Sequence, residues 1–411
     1  MQKNKKIVIG VVGLGYVGLT LAIEFSKKFE TIGFDISKKR INQLNKFADA
    51  NDEASKKILS KNKVFFTYNS EYLKKVNFYI LAVPTPVNKK KLPDLSKIKK
   101  ASKIIGKYLN KNDIVILEST VYPGFTENLF TDDLEKYSNL NYNEDFYIGY
   151  SPERINPGDN KNTLSKIKKV ISCNNPNILK LIVKVYKKII KNNVVIAKDI
   201  ITAEAAKVIE NTQRDINVAL INEISIIFNK LDIDIKEVLN VASTKWNFLN
   251  FTPGLVGGHC ISVDPYYLTY ISKKNGYDPS LILTARKIND YYHNFIYERF
   301  KKNLFNKGII FQKTKILILG LTYKPEVKDI RNSKVFNLID KLILQKVNFT
   351  ISDPLIKKNI LLDKYKKFFL DYKNLEKFKF SAILVCTKHK IIKKDYVKKI
   401  SYKNSHIEYI Y

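Results

Sequence analysis

One short segment combines several residue types that could carry out covalent chemistry. It is FTPGLVGGHC at residues 251–260, followed after three residues by Asp264. Glycines before a cysteine let a loop close over a ligand and present the sulfur, and a neighbouring cation favours the nucleophilic thiolate. A lone cysteine is more often a small core residue, but Cys260 in a Gly-Gly-His loop is a poor candidate for that role. Asp264, before Pro265, also suits a helix N-cap, and both roles are compatible.

A glycine pattern near the N-terminus predicts a dinucleotide site. GLGYVG at residues 13–18 follows a strand-like run and precedes a helix-like stretch at 19–29. Such glycines allow a tight turn and a close approach of the backbone to a pyrophosphate. Asp35 ends the next predicted strand, where its carboxylate would accept ribose hydroxyls and repel a 2′-phosphate. We predict NAD, although the nearby Arg40 leaves NADP open; the predicted cofactor residues here are Gly13, Gly15, Tyr16, Val17, Gly18, Asp35 and Arg40.

Three further loops follow apolar runs and place hydroxyl or charged groups where strand ends should adjoin the cofactor. They are VPTP at 83–86, ESTVYPG at 118–124 and SPERINPG at 151–158. Ordinary turn chemistry explains any one of them, but three in succession favour a site. The residues singled out are Thr85, Thr120, Glu153 and Arg154.

Two more groups of charged residues could bind anions. Lys207, Asn211 and Arg214 are spaced i, i+4 and i+7, so they share a helix face that could either hold an anionic intermediate or be solvated. Lys324 and Arg331, in GLTYKP and DIRNS, follow a predicted strand, where a second nucleotide's phosphates could bind.

The elements that must position these residues alternate between strand and helix. Strand-like runs at 7–13, 31–35, 78–83, 113–118 and 146–150 argue for a parallel, doubly wound sheet. A stretch without Gly or Pro from Thr202 to about Leu231 predicts a long helix, and a second helical region surrounds 281–305. Near residue 314 the alternation restarts. The predicted fold class is α/β, with two Rossmann-like doubly wound domains joined by a long central helix.

Composition limits the classes of protein. The 411 residues are 45% hydrophobic, which excludes a disordered chain, and 72 Lys and Arg against 39 Asp and Glu give a net charge of +33. The lysines are scattered, which favours a solvated surface that attracts anionic ligands over a nucleic-acid site. Three cysteines and four scattered histidines predict no metal site and a reducing, cytoplasmic location. The uncharged run 7–23 resembles a signal sequence, but its four glycines argue against one, and we expect no membrane span.

Taken together, GLGYVG, VPTP, ESTVYPG, SPERINPGD, KVIEN, PGLVGGHC and GLTYKPEVKDIRNS resemble the nucleotide-sugar 6-dehydrogenase family over nearly the whole chain. SPERINPGD and PGLVGGHC look like the branch that oxidises UDP-N-acetylhexosamines. In one departure, many relatives have a further glycine where Leu255-Val256 precedes Gly257, which leaves the choice of sugar open.

The resemblance implies an NAD-dependent, four-electron oxidation of the sugar at C6, for surface polysaccharide biosynthesis. Cys260 matches the nucleophile, Lys207 and Asn211 the groups that stabilise oxyanions, and Thr120, Glu153 and Asp264 the groups that position or activate water. Arg331 lies where the family links its two nucleotide sites. The positions that match substrate contacts are Arg154, Ile155, Lys207, Asn211, Arg214, Phe251, Gly257, Tyr323 and Lys324.

The resemblance also implies an NAD-binding domain at 1–198, a central helical domain at 199–308 that mediates a homodimer, and a UDP-sugar-binding domain at 309–411. UDP-N-acetylglucosamine is the favoured substrate, with UDP-glucose or UDP-N-acetylmannosamine as alternatives. A two-electron hydroxyacid dehydrogenase would give the Gly-Gly-His-Cys loop no task. A nucleic-acid or polyanion binder would show salt-sensitive affinity for DNA.

Overall fold

A computed structural model of the chain describes residues 6–49, 54–154, 164, 166–190 and 194–410. These residues form two compact units. The first contains residues up to Glu210 together with Tyr266–Tyr277, and the second contains Asn211–Pro265 and the residues from Asp278 onward. Among the described residues, no helix is both long and apolar enough to cross a bilayer.

The first unit is built on a six-stranded parallel sheet in the order β3-β2-β1-β4-β5-β6. This order places the switch point between the first and fourth strands, where doubly wound folds bind their ligands. The strands are β1 (Val8–Val12), β2 (Glu30–Phe34), β3 (Val64–Thr67), β4 (Phe78–Leu81), β5 (Ile114–Leu117) and β6 (Tyr147–Tyr150).

Helices and one small sheet complete this unit. The helices are α1 (Tyr16–Ser26), α2 (Lys38–Asn45), α3 (Lys56–Lys61), α4 (Ser96–Gly106), α5 (Thr131–Ser138) and α6 (Pro176–Tyr186). A parallel pair, β7 (Lys169–Ile171) and β8 (Val194–Ile196), follows the main sheet, and Ser172 bridges to Tyr150 at the end of β6. Strands such as β4 and β5 are buried throughout, as parallel strands covered on both faces must be.

The first helix differs from the prediction of 19–29. It begins at Tyr16 and ends at Ser26, because Gly18 fits inside its first turn. A Cβ at Gly18 would lie 1.8 Å from the carbonyl oxygen of Gly13, so only glycine lets the helix start this close to the strand. The strand β3 was not predicted.

Helices carry the chain through its middle third, and the first and last of them are long. They are α7 (Ile200–Lys230), α8 (Ile235–Ala242), α9 (Asp264–Lys274) and α10 (Ser280–Asn306). The predictions of a long helix after residue 200 and a second one around 281–305 are confirmed.

The second unit contains a four-stranded parallel sheet in the order β10-β9-β11-β12. Its strands are β9 (Ile316–Leu319), β10 (Phe349–Ser352), β11 (Phe380–Val385) and β12 (Ser401–Tyr409), and its further helices are α11 (Val335–Leu344), α12 (Asp363–Lys366) and α13 (Lys394–Lys399). The predicted α/β class is confirmed, while the predicted domain boundaries after residues 198 and 308 stay a prediction.

Candidate active site

The glycine-rich turn after β1 is held by the end of β2. The backbone N–H of Gly13 donates to the carbonyl of Phe34 at 2.9 Å, and that of Leu14 donates to Asp35 Oδ2 at 2.9 Å. The second oxygen of Asp35 accepts from the Ser37 N–H at 2.8 Å. A Cβ at Gly15 would meet no described atom within 4 Å. The turn therefore has room for a pyrophosphate, and the Asp35 carboxylate is oriented in advance, which fits NAD.

Arg40 is occupied by protein groups. Its Nε donates to the carbonyl of Leu14 at 2.9 Å, and its Nη1 lies 2.6 Å from Asp49 Oδ1. Asp49 compensates the guanidinium charge, so Arg40 attracts a 2′-phosphate less strongly than the sequence suggested.

The three strand-end loops of the first unit lie side by side, because β4, β5 and β6 are neighbours in the sheet. Ser119 Oγ donates to the Val83 carbonyl at 2.7 Å and accepts from the Val83 N–H at 3.0 Å, which joins the first two loops. The Ser151 N–H donates to the Leu117 carbonyl at 3.0 Å, which joins the third. Thr85 and Thr120 are half-buried on these loops.

The segment after β6 supplies two predicted residues. Glu153 is buried, and its Oε1 accepts from the Arg154 N–H at 2.6 Å. The Arg154 guanidinium forms an ion pair with Glu210 on α7, which nothing in the sequence indicated. Ile155 lies outside the described residues.

Glu204 is a further residue that the sequence reading missed. From α7 its carboxylate accepts the N–H groups of Gly124 at 2.6 Å and Thr126 at 2.9 Å, and the Thr126 hydroxyl at 2.5 Å. Burial raises the pKa of Glu204 to about 7. This carboxylate fixes the loop that carries Thr120, just before a π-helical turn at Thr126–Phe130. The one local signal for it is a glutamate between two alanines, Ala203 and Ala205, at the start of α7.

The three predicted residues of α7 differ in burial. Lys207 and Asn211 are buried, at 7% and 6% exposure, whereas Arg214 is exposed. In the second unit, Asn211 Nδ2 donates to Asp264 Oδ2 at 2.6 Å. The Asp264 carboxylate thus faces the Asn211 amide, and Asp264 is the first residue of α9.

The cysteine loop is braced at both ends within the second unit. Asn222 on α7 donates to the Gly254 carbonyl at 3.1 Å and accepts from the Gly254 N–H at 2.8 Å. At the other end, the Cys260 carbonyl accepts from the N–H groups of Val263 and Asp264 at 3.0 and 2.8 Å. Cys260 is exposed, while Cys173 and Cys386 are buried. The loop therefore presents its thiol at the surface of this unit.

The two glycines before the cysteine pack against the segments that follow β9. A Cβ at Gly257 would lie 2.6 Å from the Asn332 carbonyl, and one at Gly258 would lie 2.8 Å from the Tyr323 ring. Asn332 Nδ2 also donates to the Gly258 carbonyl at 3.0 Å. The Gly-Gly pair is needed for this close approach, which joins the cysteine loop to the predicted substrate residue Tyr323.

Charged groups surround this contact. His259 Nε2 lies 3.4 Å from Asp329 Oδ2, and Arg331 also pairs with Asp329, at 2.9 Å. Burial lowers the pKa of His259, with a further lowering from Arg331. Lys324 lies over the Tyr323 ring, 5.8 Å from its centroid. The structure thus groups Gly257, Tyr323, Lys324 and Arg331, whereas no described contact joins Phe251 to them.

The brace on Gly254 continues into a buried polar network that the sequence gave no sign of. Asn222 Nδ2 donates to Asn289 Oδ1 at 2.8 Å, and Asn289 Nδ2 donates to Asp215 Oδ1 at 2.7 Å. Asp215 is paired with Arg286, which is 1% exposed, at 2.5 Å. Helices α7 and α10 are thereby joined beneath the cysteine loop.

The second sheet repeats the glycine-and-aspartate arrangement of the first. After β9, Gly320 has φ +89° and donates to the Ser352 carbonyl at 2.9 Å, and Leu321 N–H donates to Asp353 Oδ2 at 2.6 Å. Here, however, His389 Nε2 lies 3.2 Å from the same oxygen, and Asp353 is 1% exposed. A sealed carboxylate cannot accept ribose hydroxyls, so the two sheets are not equivalent nucleotide sites.

The sequence matches family models along most of its length. Residues 7–190 match the NAD binding domain of the UDP-glucose/GDP-mannose dehydrogenase family, residues 201–291 its central domain and residues 317–407 its UDP binding domain. The UDP-N-acetyl-D-glucosamine 6-dehydrogenase of Salmonella typhi is 46% identical over 389 residues, which cover 94% of this chain and 91% of that protein. The protein of the same name in Pseudomonas aeruginosa is 47% identical over 362 residues, covering 88% and 86%.

Similarity extends to solved structures. A UDP-D-ManNAc dehydrogenase from Pyrococcus horikoshii matches with a TM-score of 0.84 and 30% identity, covering 98% of this chain and 95% of that one. Since all three domain models match in chain order and relatives align over nearly the full length, the chain belongs to the UDP-glucose/GDP-mannose dehydrogenase family and is an NAD-dependent nucleotide-sugar dehydrogenase.

Proposed function

We propose that this enzyme oxidises C6 of a UDP-N-acetylhexosamine to the carboxylate, with UDP-N-acetylglucosamine as the substrate. The observation that carries the proposal is the exposed Cys260 thiol on a glycine loop that packs against the UDP-binding part of the chain. The choice of sugar is supported by 46% and 47% sequence identity to two UDP-N-acetyl-D-glucosamine 6-dehydrogenases, against 33% to the UDP-N-acetyl-D-mannosamine dehydrogenase of Pyrococcus horikoshii.

Cysteine makes a four-electron oxidation possible at one site. The first oxidation converts the C6 alcohol into an aldehyde, and an aldehyde carbon does not readily lose hydride until a nucleophile has made it tetrahedral. The Cys260 thiolate adds to the aldehyde, and loss of the second hydride from the thiohemiacetal gives a thioester. Water then attacks the thioester carbon and the C–S bond breaks, which returns the thiolate and releases the uronate. NAD, when bound, accepts the two hydrides, one per molecule, and three protons leave to solvent in all.

The other residues have roles that support these steps. Lys207 and Asn211 stabilise the oxyanions at C6, with Lys207 also a proton carrier. The Asp264 carboxylate, fixed by Asn211 at 2.6 Å, together with Thr120 and Glu153 positions or activates water. Arg154, Ile155, Arg214, Phe251, Gly257, Tyr323 and Lys324 contact the substrate, Thr85 and Thr120 the cofactor, and Arg331 links the two nucleotides.

The direct test is to incubate the enzyme with NAD and the UDP derivatives of N-acetylglucosamine, N-acetylgalactosamine, N-acetylmannosamine and glucose. We expect two NADH per UDP-N-acetylglucosamine and a product with the mass of the uronate. One NADH per sugar would contradict the mechanism, and a clear preference for another sugar would contradict the choice of substrate.

Cys260→Ala should abolish uronate formation, with a fall in turnover of at least about 10³-fold, because no other group can hold the aldehyde covalently. NAD binding, followed by fluorescence titration, should be unchanged. Cys173→Ala is the matched control at a buried cysteine and should retain activity. Normal turnover in the Cys260 variant would refute covalent catalysis.

We further propose a homodimer formed through the central helix. Leu220 and Ile227 near the end of α7, and Leu231 directly after it, recur at helical spacing and are 53%, 47% and 60% exposed. Trp246 nearby in sequence is 92% exposed. Large apolar side chains exposed in a row are typical of an interface, and a second copy of this chain is the partner that the family resemblance implies.

A further inference from the structure

A buried cluster of charge lies behind the strand-end loops of the first unit. It consists of Lys169 at the start of β7, Glu118 directly after β5 and Glu153 after β6. The side chains of Lys169 and Glu118 are both 0% exposed. A buried charge is tolerated only where partners compensate it, so the contacts of Lys169 show what it holds.

The Lys169 ammonium joins two of the three loops. Its Nζ donates to Glu118 Oε2, to the Pro152 carbonyl at 3.1 Å and to the Ser151 carbonyl at 3.3 Å. An ammonium has three hydrogens, and these acceptors use them. Glu153 Oε2 lies 3.8 Å from the same nitrogen, so Lys169 acts on Glu153 through charge.

Two other groups donate hydrogen bonds to the carboxylates of this cluster. The Tyr186 hydroxyl on α6 donates to Glu118 Oε1 at 2.6 Å, and the Arg154 N–H donates to Glu153 Oε1. The Arg154 guanidinium is paired with Glu210. Lys169 therefore forms ion pairs with both carboxylates. Burial raises the pKa of Glu118 to about 7, Lys169 opposes that shift and Glu153 adds to it.

We propose that Lys169 is a positioning residue for thioester hydrolysis: its ammonium, held by Glu118, binds the Ser151 and Pro152 carbonyls and so fixes the segment that carries Glu153. The inference rests on the proposed function, in which Glu153 activates water. In that step the water oxygen bonds to the thioester carbon, its proton passes to the Glu153 carboxylate, and the Cys260 thiolate leaves with the electrons of the C–S bond.

The decisive variant is Lys169→Met combined with Glu118→Gln. Lys169→Met alone would leave the buried Glu118 carboxylate without its cation and destabilise the fold, whereas the double variant removes the buried pair together. We expect a rapid release of two NADH in the first turnover, followed by a steady rate about 10- to 100-fold below the parent. The uronyl thioester on Cys260 should accumulate and be visible by intact-protein mass spectrometry.

The separate steps of the reaction give a second readout. A generally disturbed site would slow hydride transfer as well, whereas loss of a residue needed for hydrolysis should leave the rate of the first NADH burst at the parental value and lower only the steady rate. Glu118→Gln alone should also lower the steady rate, by a smaller factor, because the ammonium loses the carboxylate that holds it. Lys168→Met, at the exposed neighbouring lysine, is the matched control and should change neither readout.

Two results would overturn the role of Lys169. One is a double variant that binds NAD like the parent, keeps the parental steady rate and forms no thioester. The other is the same behaviour in Glu118→Gln, which decides the matter even if the double variant does not fold. A parent enzyme that makes one NADH per sugar would instead refute the proposed function.

Discussion

At the scale of single residues, two aspartates in similar positions do different work. Asp35 is half-buried and accepts the N–H groups of Leu14 and Ser37, and a Cβ at the nearby Gly15 would meet no described atom within 4 Å. Asp353 accepts the Leu321 N–H in the same way, but His389 covers it. The difference explains physically why the first sheet suits a dinucleotide that is read at its ribose.

Asp35→Ala should weaken NAD binding by about 10- to 100-fold, because hydrogen bonds to a charged carboxylate are lost. Asp35→Asn keeps an acceptor for Leu14 but removes the charge, so it should chiefly relax the bias against NADP. Both are measured by titration with the two cofactors. Unchanged affinity for NAD in the alanine variant would show that Asp35 does not bind the ribose.

At the scale of elements, the cysteine loop depends on a contact that only glycine permits. Gly258 has φ +85°, and its missing side chain admits the Tyr323 ring. Gly276, at the end of the α9 segment, has φ +82° but would meet no described atom within 4 Å. The two positions share backbone strain and differ in packing, so they separate one effect from the other.

Gly258→Ala should lose both stability and activity, whereas Gly276→Ala should lose about 1–2 kcal/mol of stability alone. Displacing the loop moves the thiol, and a shift of about 1 Å at a reacting group costs about 10²-fold in rate. Urea unfolding and steady-state kinetics on both variants measure this. Equal turnover in the two would mean that the Tyr323 contact does not position Cys260.

Glu204 joins the loop after β5 to α7, and its ionisation should affect how the free energy of unfolding depends on pH. Its pKa is raised from 4.5 to about 7 by burial. Between these values the unfolded chain has lost the proton while the folded chain keeps it. The free energy of unfolding contributed by Glu204 therefore falls as the pH rises, by about 1.4 kcal/mol per pH unit, and levels off above pH 7.

Glu204→Gln, which cannot ionise, should reduce the fall in the free energy of unfolding between pH 5 and 7 by about the contribution of one proton. Urea unfolding at a series of pH values, followed by circular dichroism, provides the measurement. Glu223→Gln, at an exposed position of the same helix, is the control and should leave the slope as it is. A slope shared by all three proteins would contradict the raised pKa.

At the scale of the whole molecule, net charge and exposed apolar surface have opposite effects on self-association. A net charge of +33 makes copies repel one another and attracts the phosphates of both nucleotides. Exposed residues such as Leu220, Ile227 and Trp246 nevertheless favour association, because burying them removes apolar area from water. The proposed dimer requires that the burial of apolar surface outweigh the charge repulsion.

Leu220→Glu combined with Leu231→Glu should shift the protein from dimer to monomer, because it would place two carboxylates in the proposed interface. Sedimentation analysis measures the mass directly. Lys377→Glu introduces a carboxylate at an exposed position outside α7 and should leave the mass unaffected. A parent that sediments as a monomer, or a variant that remains a dimer, would contradict an interface on this face.

Structural features that depend on residues close together in the sequence could be predicted better than those that depend on distant residues. The glycine turn, the long helix and most strands could be predicted, because spacing of glycine and apolar residues acts within a few positions. The four-residue strand β3 and the strand β12 were missed, the latter because its first half is exposed and polar. The start of α1 was misplaced because its fit depends on the carbonyl of Gly13.

By itself, the sequence determined that this is an α/β protein with a dinucleotide turn, and its ordered motifs indicated the family. Only the tertiary structure decided that Lys169 compensates Glu118 beside Glu153, that Asn222 braces Gly254, and that His389 seals Asp353. The physical reason is that a buried polar group is tolerated only with a partner. Which partner it finds depends on strand ends and helices that meet in space from distant parts of the chain.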